Sequence, residues 1–534
     1  MQIRLFFFFF LLNILAVYAQ NPSPKREFRA VWIATVINID FPTSKNMSTE
    51  AQQKQFRDIL NEHEKSGMNA VMVQIRPTAD AFYESEKELW SEWLTGQAGT
   101  APNPYYDPLE FMIREAHRRG MEFHAWLNPY RAYYGGQQAP MHPEHLVLQK
   151  PDWFVKYGTQ TVFNPGLPEV RHHINEVVQD IVKRYDIDGI HFDDYFYPYQ
   201  IKGVEFEDEK TFKKYAGGFQ DKADWRRNNV NVLIETLHEQ IKKNKPHVKF
   251  GVSPFGVWRN ADVDSLGSAT KATLACYDNV YADVRLWLAK GWIDYVSPQI
   301  YFNIGHKLVD YEKTALWWAN NCFGKHLYIG QAPYRLDKLD SVWTKSEIPK
   351  QIVMNRQNPN ILGSIYFSSK SLTKNYGNLQ DSLRKKFYRY PALVPKMAWK
   401  DNISPNQPQN LEVYQVPKGM ILMWEAPEKA SDNEIASYYV VYRFDENEEI
   451  NIENTSKILA IHREKKHIFV DKSAISGKNY AYAITAVDRL HNESTPISVR
   501  VIKKQENISV EDNISDWGEF LRLFLKLYFK HLED

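Results

Sequence analysis

The feature that most constrains this chain is an alternation, from Phe28 to about Phe387, of short apolar-biased runs with helix-like segments. Eight strand-like runs can be read in order: 27–36, 69–75, 121–127, 189–192, 249–254, 293–301, 326–330 and 361–367. Eight strand–helix units in roughly 360 residues predict an α/β fold, a (β/α)8 TIM barrel with long loops. An open doubly wound sheet is the competitor. It is disfavoured by the count of eight and by the absence of a Gly-rich nucleotide turn after the first run.

The C-terminal ends of these runs are polar. In order they offer Arg76 and Asp80, His124 and Asn128, Asp193 and Asp194, Trp258 and Arg259, Gln299 and Tyr301, Tyr334 and Arg335. A barrel brings all such ends to one face, so separate segments are expected to converge on one cleft. Any single member has a plainer reading as a satisfied structural polar residue, His124 above all; the argument is their convergence. Asp283 and Glu92 lie in loops within possible reach of the same face.

Chemistry concentrates in the fourth run, Asp186-Ile-Asp-Gly-Ile-His-Phe-Asp-Asp-Tyr-Phe-Tyr-Pro198. Here a buried strand releases two adjacent carboxylates beside aromatic faces from Tyr195 and Tyr199. Glycosidic cleavage needs an acid for the leaving oxygen and a second group for the oxocarbenium-like centre, and rings stack on sugars, so the pattern points to a sugar site. The bland alternative is that Asp193 caps a loop and Asp194 pairs with an arginine.

Composition narrows the partners. With 66 basic and 65 acidic side chains the formal net charge is +1, so no global field draws nucleic acid or an anionic membrane. Aromatic residues reach 14%, with 15 Trp and 31 Tyr, which suits sugar-stacking rings or simply a large barrel with a second aromatic-rich domain. Residues 1–19 read as a secretory signal peptide: Arg4, an apolar run from Leu5 to Val17, then Val17-Tyr-Ala19. The run is short for a transmembrane span, and no cysteine follows to accept lipid, so an exported, periplasmic or extracellular protein is expected. Cys276 and Cys322 are the only cysteines, which excludes a disulfide framework and leaves their pairing open.

The remaining boundaries follow composition: a barrel over 27–390, a proline-bearing linker over 391–408, an all-β sandwich over 409–505 and an apolar helical tail over 506–534. The tail reads as a helix docked on the protein. A weakly membrane-bound interfacial helix is its sharper alternative, because Arg522, Lys526 and Lys530 recur at i+4 spacing.

Several motifs together resemble the glycosyl hydrolase-like 10 family. They are Glu27-Phe-Arg-Ala-Val-Trp-Ile-Ala-Thr-Val36, Phe123-His-Ala-Trp-Leu-Asn-Pro-Tyr-Arg131, Asn164-Pro-Gly-Leu-Pro-Glu-Val-Arg171, Asp188 to Pro198, Ser253-Pro-Phe-Gly-Val-Trp-Arg-Asn260 and Trp292-Ile-Asp-Tyr-Val-Ser-Pro-Gln-Ile-Tyr301. The resemblance spans nearly the whole barrel. It implies a glycosidase acting on bacterial cell-envelope glycan, with peptidoglycan strands as substrate class. The fourth run also resembles the chitinase-type Asp-Gly-x-Asp-x-Asp-x-Glu pattern, but His191 replaces an aspartate and Tyr195 stands where the glutamate would be. The region after 409 resembles a fibronectin type III domain, with Trp424 at the core tryptophan position and Tyr480 at the tyrosine corner.

These readings combine into one expectation. Asp193 is the principal catalytic carboxylate and Asp194 positions it or the substrate, with an N-acetyl group of the sugar as internal nucleophile or, alternatively, a distant partner such as Asp80 or Asp283 acting as base on water. Arg76, Asp80, His124, Asn128, Tyr195, Trp258, Gln299, Tyr301 and Tyr334 bind substrate, and neither metal nor cofactor is required. Two other classes stay open: a carbohydrate-binding barrel without turnover, and a metal-dependent polysaccharide hydrolase or deacetylase using His124, His191 and Asp193.

Overall fold

The structure is a computed structural model that describes residues 23–134, 141–416, 419–475 and 477–501. The expected signal peptide and C-terminal tail lie outside these residues. The chain divides between Pro395 and Lys396 into two compact units.

The first unit is a closed barrel of eight parallel strands: β1 (Phe28–Ile33), β2 (Ala70–Arg76), β3 (Glu122–Leu127), β4 (Gly189–Phe192), β5 (Lys249–Val252), β6 (Tyr295–Val296), β7 (His326–Gln331) and β8 (Ile361–Tyr366). Sequential strands neighbour one another, and β8 closes on β1. Period-2 alternation sends Val31, Val71, Phe123, Ile190 and Phe250 outward into a core shared with Phe56 and Leu60 of the helix Thr49–Lys65 and with Ile174 and Val178 of the helix Pro168–Arg184. Each such side chain contributes roughly 1.5–3 kcal/mol by burial. Sequence also sets where helices start. Ser48 caps Thr49–Lys65, and Asp107 caps Pro108–His117 by accepting from the Leu109 and Glu110 amides.

The inward positions stack in layers. Phe28 lies on Tyr328 with centroids 4.0 Å apart, and Tyr295 is 5.4 Å from both Tyr328 and His124. Two glycines make this possible. A Cβ on Gly251 would stand 2.1 Å from the Tyr295 ring, and one on Gly189 would stand 2.5 Å from His124 Nδ1.

Two expectations are corrected. The run 293–301 is not one strand: its ladder is confined to Tyr295–Val296, with an isolated bridge resuming at Gln299, because Pro298 between them has no N–H to donate. The stretch read as a linker from 391 begins as part of the barrel unit. The Leu393 amide donates to Lys25 O, Leu393 O accepts from the Glu27 amide, and Ala392 O accepts from Asn69.

Among the described residues, the second unit has seven antiparallel strands: β9 (Gln409–Val416), β10 (Gly419–Glu425), β11 (Tyr438–Asp445), β12 (Ile458–His462), β13 (Ile468–Asp471), β14 (Tyr480–Val487) and β15 (Ile497–Val501). They form a sheet ordered β9-β10-β13 and another ordered β12-β11-β14-β15. Leu422 and Trp424 of one share a core with Tyr439, Val441, Tyr482 and Ile484 of the other. Cys276 and Cys322 are both free and buried. Among the described residues, no helix is long and apolar enough to cross a membrane.

Candidate active site

At the C-terminal mouth of the barrel lies a cavity of about 270 Å3. Its lining draws on Trp32 on β1 and Ala34, Val36 and Ile37 after it, Gln74 on β2, Trp126 on β3 and Arg131 beyond it, Asp193, Asp194, Tyr195 and Tyr199 after β4, Ser253 after β5, Gln299 and Tyr301 after β6, and Phe367 after β8. Ile37 takes φ +48°, a left-handed conformation uncommon for a β-branched residue, at this rim.

The two carboxylates stand in different surroundings. Asp193 is held by Asn128 Nδ2, which donates to both its oxygens at 3.1 and 3.0 Å, and by Trp126 Nε1 at 3.2 Å. Burial raises its pKa, opposed by the Arg131 guanidinium and by these donors. Asp194 accepts from the Tyr199 hydroxyl. Burial, and next the neighbouring Asp193 charge, push Asp194 up to about 7 against a hydrogen bond from Gln299. Arg131 also covers the Tyr195 ring at 5.1 Å, and Tyr195 lies 5.2 Å from Tyr199. A carboxyl that keeps its proton near neutral pH therefore adjoins one whose two side-chain donors and nearby cation offset part of what burial costs its anion. That is the pairing acid-assisted displacement uses.

Several expected site residues stand elsewhere. His124 is fully buried below the cavity in a hydrogen-bonded column, not at the mouth. Trp32 Nε1 donates to His191 Nε2 at 3.0 Å, so the His191 proton sits on Nδ1 and is donated to the Tyr295 hydroxyl at 2.9 Å. Tyr295 in turn donates to His124 Nδ1 at 2.9 Å, and His124 Nε2 donates to Glu122 at 3.0 Å. Glu122 accepts from Lys249 Nζ at 2.7 and 2.8 Å. Burial holds His191 well below the usual histidine range. The metal reading required His124, His191 and Asp193 to converge, and they do not: both Nδ1 atoms meet the Tyr295 hydroxyl, while Asp193 is held by Asn128 and Trp126.

Arg76 grips Glu88 through two bonds of 2.6 and 2.5 Å and donates to Asn128 O at 2.5 Å; His173 binds the same Glu88 at 2.9 Å. It does not line the cavity but fixes the backbone that carries Asn128. A register irregularity between Gln74 and Arg76 takes Arg76 off the inward parity. Asp80 is buried and accepts from the Thr78 amide at 2.8 Å. Trp258 stacks 5.7 Å from Trp317 and donates to Asp283, which itself caps the helix Val284–Lys290. Glu92 is buried at the first position of the helix Glu92–Thr95. Arg259 is engaged by Asp278 and Asp264. Tyr334 is 37% exposed, with its ring centroid 5.9 Å from that of Tyr301 in an edge-to-face contact, so it adjoins the rim.

Of the expected set, Asp193, Asp194, Tyr195, Gln299 and Tyr301 line the cavity, and Asn128 reaches it through Asp193. Sequence reasoning missed Trp32, Gln74, Trp126, Arg131 and Phe367. The available signal was parity: Trp32, Gln74 and Trp126 fall on the inward phase of β1, β2 and β3 near their C-terminal ends.

Comparisons with known proteins identify the family of the chain. The family described as Glycosyl hydrolase-like 10 matches residues 27–345. The chain is 44% identical over 485 residues to glycosyl hydrolase YngK of Bacillus subtilis (strain 168), covering 89% of this chain and 94% of that protein. It is 39% identical over 381 residues to glycosyl hydrolase DigH of Escherichia coli (strain K12), covering 67% of this chain and 86% of that protein. Among solved structures, the PgaB (BpsB) glycoside hydrolase domain from Bordetella bronchiseptica aligns with a TM-score of 0.45 at 13% identity, covering 67% of this chain and 98% of that one.

Proposed function

We propose, because this chain belongs to the glycosyl hydrolase-like 10 family, that it is an exported glycoside hydrolase cleaving glycan strands of N-acetylated amino sugars, peptidoglycan in the first instance. The observation that carries the reading is the adjacent pair Asp193 and Asp194, buried at an aromatic-lined cavity with different hydrogen-bond partners and with Asp194 raised further by the Asp193 charge. The sequence put Asp193 first; the surroundings favour the reverse division of labour.

Asp194 donates its proton to the glycosidic oxygen as the C1–O bond breaks. The substrate's acetamido carbonyl oxygen closes on C1, and the Asp193 carboxylate stabilises the positive charge that develops on the resulting ring. Water then attacks C1, losing its proton to the Asp194 carboxylate and restoring both enzyme and acetamido group. The rings of Tyr195, Tyr199 and Tyr301 stack on sugar faces. Export rests on the N-terminal segment of the sequence. The second unit is read as fibronectin type III-like, supported by its three- and four-stranded sheets and by the Tyr480 hydroxyl, which accepts from the Ile475 amide at 3.1 Å. No catalytic role is assigned to it.

The test is to incubate purified protein with peptide-free peptidoglycan strands and count new reducing ends, alongside Asp193→Asn and Asp194→Asn variants with native circular dichroism. Reducing ends from the wild type alone are expected. Binding without new reducing ends would favour a carbohydrate-binding barrel, and full activity in both variants would remove the assignment.

A further inference from the structure

One wall of the cavity differs from the rest. Trp32, Ala34, Gln74 and Trp126, inward residues of three adjacent strands or their ends, form it. Both indole N–H groups are already used: Trp32 donates to His191 at 3.0 Å and Trp126 to Asp193 at 3.2 Å. What the two tryptophans and Ala34 turn to the cavity is therefore carbon.

Gln74 is the exception. It is fully buried, and its Oε1 accepts from the Thr35 amide at 3.1 Å and the Val36 amide at 2.9 Å. Two backbone donors on one atom fix the orientation of the amide, because the opposite flip would set NH2 against N–H. The Nε2 that results has no hydrogen-bond partner. A buried amide donor left unmet opposes folding, so it calls for a ligand acceptor.

We propose that Gln74 binds the acetamido carbonyl oxygen of the bound sugar, with Trp32, Ala34 and Trp126 enclosing the acetamido methyl. The chemistry selects this group: the wall offers one donor in an otherwise apolar recess, and an acetamido group presents one acceptor and one methyl. A hydroxyl-bearing sugar carbon would leave its O–H without an acceptor on this wall. Gln74 would thus make the site specific for 2-acetamido sugars and hold the carbonyl beside Asp193. The inference rests on the proposed substrate class but not on turnover.

Binding, rather than cleavage, separates the two. In an Asp194→Asn background, calorimetry would compare a β-1,4 tetrasaccharide of N-acetylglucosamine with cellotetraose, which is also neutral and carries hydroxyls in place of the acetamido groups. The wild-type wall should prefer the acetylated ligand. Gln74→Met, and Gln74→Glu, which keeps the acceptor for the Thr35 and Val36 amides, should each weaken that ligand about tenfold or more while cellotetraose changes less than about twofold. A loosened loop would weaken both ligands together. Equal losses, no loss, or a wild-type site that does not discriminate would each overturn the proposal, whatever the reducing-end assay gives.

Discussion

The lower and upper halves of the barrel interior are lined by the same strands, yet their polar groups meet different fates. Below, Trp32, His191, Tyr295, His124, Glu122 and Lys249 form a continuous donor–acceptor column that ends in a buried ion pair. Above, Asp193 and Asp194 both sit with raised pKa values, and the Gln74 Nε2 has no partner. The lower layer spends its polarity on specifying how the strands close. The upper layer keeps unmet demand at the mouth, where a ligand can answer it. Burial alone does not separate the two, since His124 and Gln74 are both fully buried.

The sharpest way to break this contrast is to neutralise the upper pair. Asp194→Asn is expected to lower kcat/KM on denuded glycan about 10²–10⁴-fold, with Asp193→Asn comparable, and thermal melts should show both still folded. The matching change below is Lys249→Met, which removes the ammonium partner of the buried Glu122 carboxylate. It should cost roughly 3–5 kcal/mol in denaturant unfolding, while specific activity per folded molecule stays near that of the wild type.

A smaller effect has the opposite sign. The Asp194 carboxyl titrates from an ordinary value of 3.8 up to about 7 on folding, so between those values the folded state holds the extra proton. Stability contributed by that proton is lost as pH rises through the window, and above it the buried charge opposes folding. Asp194→Asn should therefore stabilise the protein at pH 8 by on the order of 1–3 kcal/mol, with little change at pH 4. The smallest effect is at the rim: Tyr334→Ala should raise KM only a few-fold and leave kcat alone, because its ring is 37% exposed and touches the site by its edge.

The barrel was legible because eight apolar runs alternate with helix-like segments and six of them end in polar or aromatic residues, and period 2 then assigns an inside to every strand. Depth along the axis was not legible. His124 and Trp126 share one parity on β3, but only Trp126 reaches the cavity, and nothing in a two-residue repeat says which layer lies below the mouth. Arg76 failed differently: the irregularity after Gln74 is a backbone event that composition does not record. Asp193 and Asp194 were visible as a pair, but their division of labour depends on donors from β3 and on Tyr199, all set by tertiary packing. Gln74 was invisible because glutamine on an inward phase announces no chemistry until its amide is seen to be half satisfied.

The central claim is that Asp193 and burial together keep Asp194 protonated near neutral pH. Titrating the aspartate carboxyl carbons by NMR, with Asp194→Asn used to assign the signal, tests it directly. A wild-type midpoint near 7 that falls when Asp193 is replaced by asparagine is predicted. A midpoint near 4 in the wild type, or one that does not move on removal of the Asp193 charge, would contradict it.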